Sequence, residues 1–237
     1  MLIDTSKRSD APETMDDFSL EGDVLKDALD KIADINTLLG GNKVTIQGVK
    51  ELIRNIPRNR TITILDVGCG NGDMLRALAN FGAKHGFEFK LTGMDANQFT
   101  IHHAESLSMN SPNISYICED IFSVVPASKS YDIIVCTLTL HHFKDNEIIE
   151  LLEKFIKMST AGVIINDLHR SKLAYYLFKG ICTIFGLNEM SREDGLVSIL
   201  RGFKQRDLRY YSQRLNLKDF SIRWKWAFRY QWIIKTT

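Results

Sequence analysis

The chain has 237 residues, of which 44% are hydrophobic and 25% charged, and its formal net charge is +1. That length builds one substantial core with room for a small accessory element. So small a net charge supplies no overall field to draw in nucleic acid or an anionic membrane. In chain order, residues 1–15 (MLIDTSKRSDAPETM) carry no apolar run of the secretory kind and read as a disordered N-terminus. From Leu20 to Leu39 apolar residues recur at helical spacing and stop at Gly40-Gly41. A second stripe, Val49, Leu52, Ile53 and Ile56, ends at Pro57. Residues 16–57 are therefore expected to form a helical N-terminal cap, with residues 57–60 as the hinge into a main domain at 58–237. Beyond the hinge, strands at 61–67, 89–95, 114–118, 131–138 and 162–166 alternate with helices at 72–80, 98–108 and 145–158. Such alternation predicts an α/β fold with a mostly parallel sheet covered on both faces. The pattern then breaks: residues 171–203 read as two helices of an insertion, followed by a helix at 205–214 and a strand pair at 219–227 and 230–236.

The apolar run Leu173–Leu187 is interrupted by Lys179 and is too short for a membrane span of roughly 20 residues. Cys69, Cys118, Cys136 and Cys182 are widely spaced with no C-x-x-C pair, which points to reduced thiols in a cytoplasmic protein. No histidine spacing of the metal-binding kind occurs, so no metal site is expected. Charge is unevenly spread: residues 10–30 hold eight acids against Lys26, and residues 201–237 hold ten Lys/Arg against Asp207 and Asp219. These faces are expected to be solvated or to contact one another.

The stretch ILDVGCGNGD (Ile64–Asp73) places glycines at 68, 70 and 72 between a strand and a helix. A strand that stops at a Gly-rich turn and opens a helix is a nucleotide-binding corner of an open α/β sheet. The dinucleotide pattern G-x-G-x-x-G would put its third glycine on Asp73, and no Lys-Ser/Thr follows for a P-loop. With Asp66 ahead of the glycines, the stretch resembles motif I (D/E-x-G-x-G-x-G) of the class I S-adenosylmethionine-dependent methyltransferases. That resemblance covers about residues 60–237. It implies a Rossmann-like class I methyltransferase fold: a seven-stranded, mostly parallel sheet with an antiparallel C-terminal hairpin, here with the N-terminal helices and a helical lid.

In an open α/β sheet the ligand lies at the carboxyl ends of the strands. Asp95, at the end of the second strand, suits a ribose diol because a carboxylate accepts two hydrogen bonds. By resemblance, Asp120 meets the adenine amino group, Asp66 meets the methionine end, and Gly68 and Gly70 pass closest to the cofactor. Cys69, Asn71, Ala96, Ile121 and Thr137 are expected to complete the S-adenosylmethionine site, with S-adenosylhomocysteine as product. His141 and His142 in the L-x-L-H-H run after strand four, and His169 after strand five, are the candidate bases for a phenolic or enolic acceptor. His85, His102 and His103 read as inert helix-surface residues. Tyr175, Tyr176 and Phe178 of the lid, with Arg201, are the expected acceptor contacts. The L-x-L-H-H run resembles the small-molecule branch of the family, including bacterial polyketide- and quinone-type methyltransferases, and the amine-methylating N/D-P-P-Y/F motif is absent. The expected activity is O-methylation of a small-molecule acceptor, with C-methylation of a quinol-like ring second. A non-catalytic cofactor-binding module and a nicotinamide-dependent oxidoreductase are the competing classes. No nucleic-acid partner and no stable membrane insertion are expected, and a homodimer is the one assembly considered.

Overall fold

The computed structural model of the chain describes residues 3–125 and 131–236. Met1, Leu2, residues 126–130 (the last part of the expected irregular crossover into the fourth strand) and Thr237 lie outside the described residues. In order, the elements are α1 (Asp23–Leu38), α2 (Gly41–Leu52), β1 (Ile62–Val67), α3 (Asp73–His85), β2 (Phe89–Asp95), α4 (Gln98–Leu107), β3 (Ile114–Cys118), β4 (Tyr131–Thr137), α5 (Asp145–Met158), β5 (Ser159–Leu168), α6 (Lys172–Ile184), α7 (Glu189–Arg201), α8 (Gln205–Arg214), β6 (Phe220–Lys225) and β7 (Arg229–Lys235). The strands form one sheet in the order β3-β2-β1-β4-β5-β7-β6. β1 to β5 run parallel, and β7 is antiparallel to both β5 and β6. Chain order reverses between β1 and β4, so the crevice at the carboxyl ends of the strands opens there.

The central strands are apolar on both faces because helices cover both. Ile64, Leu65, Ile133 and Ile134 are fully buried, as expected where a sheet is sandwiched. One cluster packs α5 and α8 on one face through Leu151, Phe155 and Tyr211, and a second packs α3 on the other through Leu75 and Leu78.

Two expectations about the N-terminal region change. Residues 3–17 are held in place, because the polar segment finds partners far along the chain. Ser9 N–H donates to Leu200 O (3.1 Å), the Arg8 guanidinium donates to Arg201 O (2.8 Å), and Thr14 and Met15 N–H donate to the Asp194 carboxylate (2.8 and 3.0 Å). Further along, Gly40 makes the break between helices in a left-handed conformation (φ 76°), but Gly41 already opens α2. That helix belongs to the sheet's covering layer rather than to a cap. A Cβ on Gly48 would lie 2.9 Å from Ile164 Cγ2. Asn166 Nδ2 donates to Gly41 O and Thr45 Oγ1 (3.0 Å each).

Candidate active site

Above the reversal point lies a cavity of about 1700 Å³, walled below by strand ends and above by residues 6–18, α1, α6 and α7. The glycine corner forms its floor. Gly68 (φ 70°) cannot carry a side chain, since a Cβ would fall 2.3 Å from Thr139 Cγ2. At Gly70 (φ 51°) the nearest protein atom to an added Cβ is Leu29 Cδ2 at 3.8 Å, so a side chain there would fill cavity space. Gly70 N–H donates to Asp95 Oδ2 (3.2 Å) and Asn97 N–H to Asp95 Oδ1 (3.1 Å), which fixes the carboxylate at the mouth of the corner. Burial nevertheless raises the Asp95 carboxyl above its ordinary pKa.

Asp66 is 1% exposed, and its Oδ1 has no hydrogen-bond partner. Burial, reinforced by Asp73 and Asp95, pushes its carboxyl well above the ordinary range. An unpaired buried carboxylate is costly, and a cationic ligand group would relieve the cost. Asp120 is exposed on the cavity wall, where Phe122 N–H donates to Oδ1 (2.9 Å). Cys69, Asn71, Ala96, Ile121 and Thr137 line the same cavity. Burial raises the Cys69 thiol well above its usual pKa, as suits packing and not nucleophilic chemistry. Arg229 was not foreseen. It lines the cavity, is almost fully buried, and leaves Nε and Nη1 unpartnered. Burial lowers its pKa to about 10.

At the other end, Leu138 adopts a left-handed backbone (φ 54°) and turns the chain from β4 into a short 3-10 turn, Leu140–His142. His141 is buried, with Nδ1 2.7 Å from Asp167 Oδ1. Burial alone would raise Asp167, but the His141 imidazole outweighs it and holds the carboxyl below its ordinary value. An ionised carboxylate only accepts, so Nδ1 carries a proton, and in the neutral ring Nε2 holds the lone pair. His142 repeats the arrangement, with Nδ1 2.6 Å from Asp16 Oδ1. Both Nε2 atoms face Glu13, at 3.7 Å to Oε1 for His141 and 3.8 Å to Oε2 for His142. Among the described residues, Glu13, His141 and His142 form the one group whose donor atoms, all within 4.8 Å of one another, could hold a metal ion. Nothing in sequence spacing signals it, because Glu13 lies on a distant polar segment.

His169 differs from this pair. Trp224 Nε1 donates to its Nδ1 (3.2 Å), so the lone pair is on Nδ1 and a neutral ring carries its proton on Nε2. Burial, with Lys204 and Arg170 adding to it, lowers its pKa. His169 lines the cavity with its Nδ1 lone pair engaged by Trp224.

The expected acceptor contacts divide. Phe178 lines the cavity together with Leu177 and Ile181, whereas Tyr175 and Tyr176 do not. The helical turn of α6 carries those two rings off that wall, where they pack edge-to-face on each other and Tyr176 is 48% exposed. Arg201 lines the cavity but is committed elsewhere. It donates to His141 O (3.2 Å), to Asp16 Oδ2 (2.6 Å), to His142 O and to Ala11 O (3.4 Å), which uses four of its five N–H groups. It braces the histidine turn. His103 is likewise buried, with Nε2 2.7 Å from Asp30 Oδ1 on α1.

Residues 64–162 match a family model described as a methyltransferase domain. A ubiquinone biosynthesis O-methyltransferase from Coxiella burnetii is 37% identical over 86 residues, which are 35% of this chain and 33% of that protein. The chain thus aligns with about a third of the length of the curated relatives it matches. Among solved structures, the plantazolicin methyltransferase BpumL, in complex with SAH, superposes with a TM-score of 0.66 at 17% identity, over 88% of this chain and 89% of that one. The citrinin polyketide synthase CMeT domain gives 0.65 at 15% identity, over 87% and 56%. No helix among the described residues is long and apolar enough to cross a membrane. Residues 64–162 are thus similar to a methyltransferase domain, and the strand order is that of the fold shared by the methyltransferases on which the chain superposes.

Proposed function

We propose that the protein transfers a methyl group from S-adenosylmethionine to a small-molecule acceptor, by O-methylation of a phenolic or enolic hydroxyl of a polyketide- or quinone-like compound. The observation that carries this is the single cavity joining the glycine corner to the histidine pair. Ligand pockets commonly span about 300–1,000 Å³, and about 1700 Å³ leaves room for a cofactor and an acceptor together. The residues present fit the cofactor. Asp95 suits the ribose diol, the open space at Gly70 admits the ligand backbone, the orphaned Asp66 Oδ1 suits the ammonium, and the unpartnered Arg229 donors suit the carboxylate.

A sulfonium methyl is already activated, so the protein's task is to align the acceptor oxygen with the S–CH₃ bond and exclude water, worth about 7–11 kcal/mol. With the methyl donor bound, the O–CH₃ bond would form as the S–CH₃ bond broke, the electron pair of the latter would stay on sulfur as S-adenosylhomocysteine, and the hydroxyl proton would pass to an Nε2 lone pair of the His141–His142 pair. The apolar wall of α1 and α6 (Leu29, Ile32, Leu177, Phe178, Ile181) suits an aromatic acceptor. C-methylation of a quinol-like ring is the second reading, supported by the fold likeness to the CMeT domain. Calorimetry with S-adenosylmethionine and NADH, followed by turnover on a panel of phenols and enolisable ketones, tests the proposal. Binding of NADH, or cofactor binding with no transfer to any member, counts against it.

A further inference from the structure

Three groups able to donate electron pairs meet at the acceptor end of the cavity: the Nε2 atoms of His141 and His142 and the carboxylate of Glu13. Nε2 of His141 and Oε1 of Glu13 are both buried and lack a hydrogen-bond partner. Glu13 and His141 are 5% and 2% exposed. Their separation of 3.7 Å is too long for a hydrogen bond, and so is the 3.8 Å between His142 Nε2 and Glu13 Oε2. Lone pairs that face one another in a buried site repel unless a cation lies between them.

Both the spacing and the surroundings suit that cation. Ligands about 2.1 Å from a tetrahedral zinc ion lie about 3.4 Å apart; here the three donor atoms lie within 4.8 Å of one another, and each imidazole is 3.7 or 3.8 Å from its own oxygen of the Glu13 carboxylate. Each imidazole is oriented by a carboxylate on its other nitrogen, Asp167 on His141 (2.7 Å) and Asp16 on His142 (2.6 Å). That is the outer-shell arrangement which fixes the tautomer of metal-bound histidines. Ser198 Oγ donates to Glu13 Oε2 (2.7 Å) and Arg201 lies 3.6 Å from Oε1. The charged groups in contact are Glu13, whose carboxyl burial pushes up, Asp16 and Asp167 against Arg201 and, at His141 O, Arg8, an excess of acid that a divalent ion would offset.

From this we infer that Glu13, His141 and His142 form a binding site for a divalent transition metal of the zinc class. Two imidazoles and a carboxylate suit such ions better than magnesium or calcium, which favour all-oxygen sites. Three protein ligands leave a coordination position open to the cavity, as in catalytic zinc sites. The inference goes beyond the methyl-transfer reading and does not depend on it. With an ion bound, the two imidazoles would serve as ligands and not as bases, and the ion would lower the pKa of a coordinated acceptor hydroxyl, whose proton would leave to solvent.

The test uses the full-length protein stripped with a chelator and titrated with Co²⁺, followed by visible d–d absorption, and with Zn²⁺ by calorimetry, with no acceptor present. The expected result is one ion per chain with a tetrahedral cobalt spectrum. Glu13→Gln and His142→Gln should each lower affinity at least tenfold, and Asp167→Asn about 10–100-fold. Asp120→Asn should leave it unchanged. Circular dichroism verifies folding. A wild-type protein with no one-site binding overturns the inference whatever the variants do, as does unchanged affinity in folded Glu13→Gln and His142→Gln. Calorimetry with S-adenosylhomocysteine on the same preparation separates the two claims: cofactor binding without metal binding removes only the metal site, and the converse removes only the methyl-transfer reading.

Discussion

The two ends of the cavity are assembled in different ways. The cofactor end is built from the carboxyl ends of adjacent parallel strands, so the register that pairs Asp66 with Gly93 and Val67 with Met94 sets its geometry directly. The acceptor end is built from a 3-10 turn braced by α7 and by a polar segment that crosses more than a hundred residues of sequence to reach it, as Arg8 to His141 O (2.9 Å) and Asp16 to His142 show. One end is a property of the sheet. The other is a property of long-range hydrogen bonds, which can be removed without dismantling the sheet.

The largest effect should come from separating the ends by truncation. Removing residues 1–19 deletes Arg8, Glu13 and Asp16 but spares α1 and α2. Turnover should fall about 10²–10⁴-fold with loss of the organised histidine pair. S-adenosylhomocysteine affinity should stay within a few-fold, as calorimetry would show. A cut through residue 56 is a different experiment, because α2 packs on β5 and its loss should unfold the domain. Equal loss of cofactor and acceptor function in a folded 1–19 deletion would erase the distinction between the ends.

Within the acceptor end, His141→Ala should lower the maximal rate about 10²-fold or more, whereas His169→Ala should cost less than about tenfold, since its lone pair is already taken by Trp224. The reverse order would return the base to His169. At the cofactor end, Asp95→Ala should weaken S-adenosylmethionine and S-adenosylhomocysteine alike, by about 1.5–3 kcal/mol per charged hydrogen bond lost. Tyr175→Ala and Tyr176→Ala should leave the acceptor KM nearly unchanged while Phe178→Ala raises it; parallel increases in all three would place the lid rings in the site after all.

How much of this was legible beforehand follows the same division. The parallel strands, the helix at 98–107 and the C-terminal pair were readable to within a few residues, because two-face burial and helical spacing are local signals. That Asp66, Gly68, Gly70 and Asp95 meet at one cavity is readable because a strand end, a tight turn and a carboxylate are local signals. Glu13 and Arg229 were not. Glu13 sits in a polar segment whose composition suggests disorder, and only its partners Ser198 and Arg201 reveal a folded role. Arg229 belongs to a basic stretch that reads as a solvated face, yet β7 pairs it with Leu168 on the inner side of the sheet. Tyr175 and Tyr176 were misplaced for the opposite reason: an aromatic-rich helix shows apolar character, but its composition does not say which side meets the cavity.

The smallest effect concerns the amino ends of the central strands β1 and β4, remote from both ends of the cavity. Burial alone would raise the Asp132 carboxyl, but the Arg60 guanidinium fork (2.7 and 2.8 Å), Thr63 N–H and Thr160 hydroxyl outweigh it and bring its pKa to about 2 from 3.8. A depressed folded-state pKa contributes stability that is fully present above about pH 4 and is lost as pH falls through about 2. Asp132→Asn should lower Tm at neutral pH by a few degrees, in keeping with about 1 kcal/mol in a chain of this size. It should also flatten the acid limb of the stability curve. An unchanged acid limb would mean that Arg60 and Asp132 are not coupled in solution.

The central claim is that the glycine corner and Asp95 hold the methyl donor. Its most direct test is a calorimetric titration of the wild-type protein and of Asp95→Ala with S-adenosylhomocysteine, with NADH in parallel. The account predicts one S-adenosylhomocysteine per wild-type chain, a loss of about tenfold or more in folded Asp95→Ala, and no heat with NADH. Wild-type affinity in the variant, or saturable NADH binding, would contradict it.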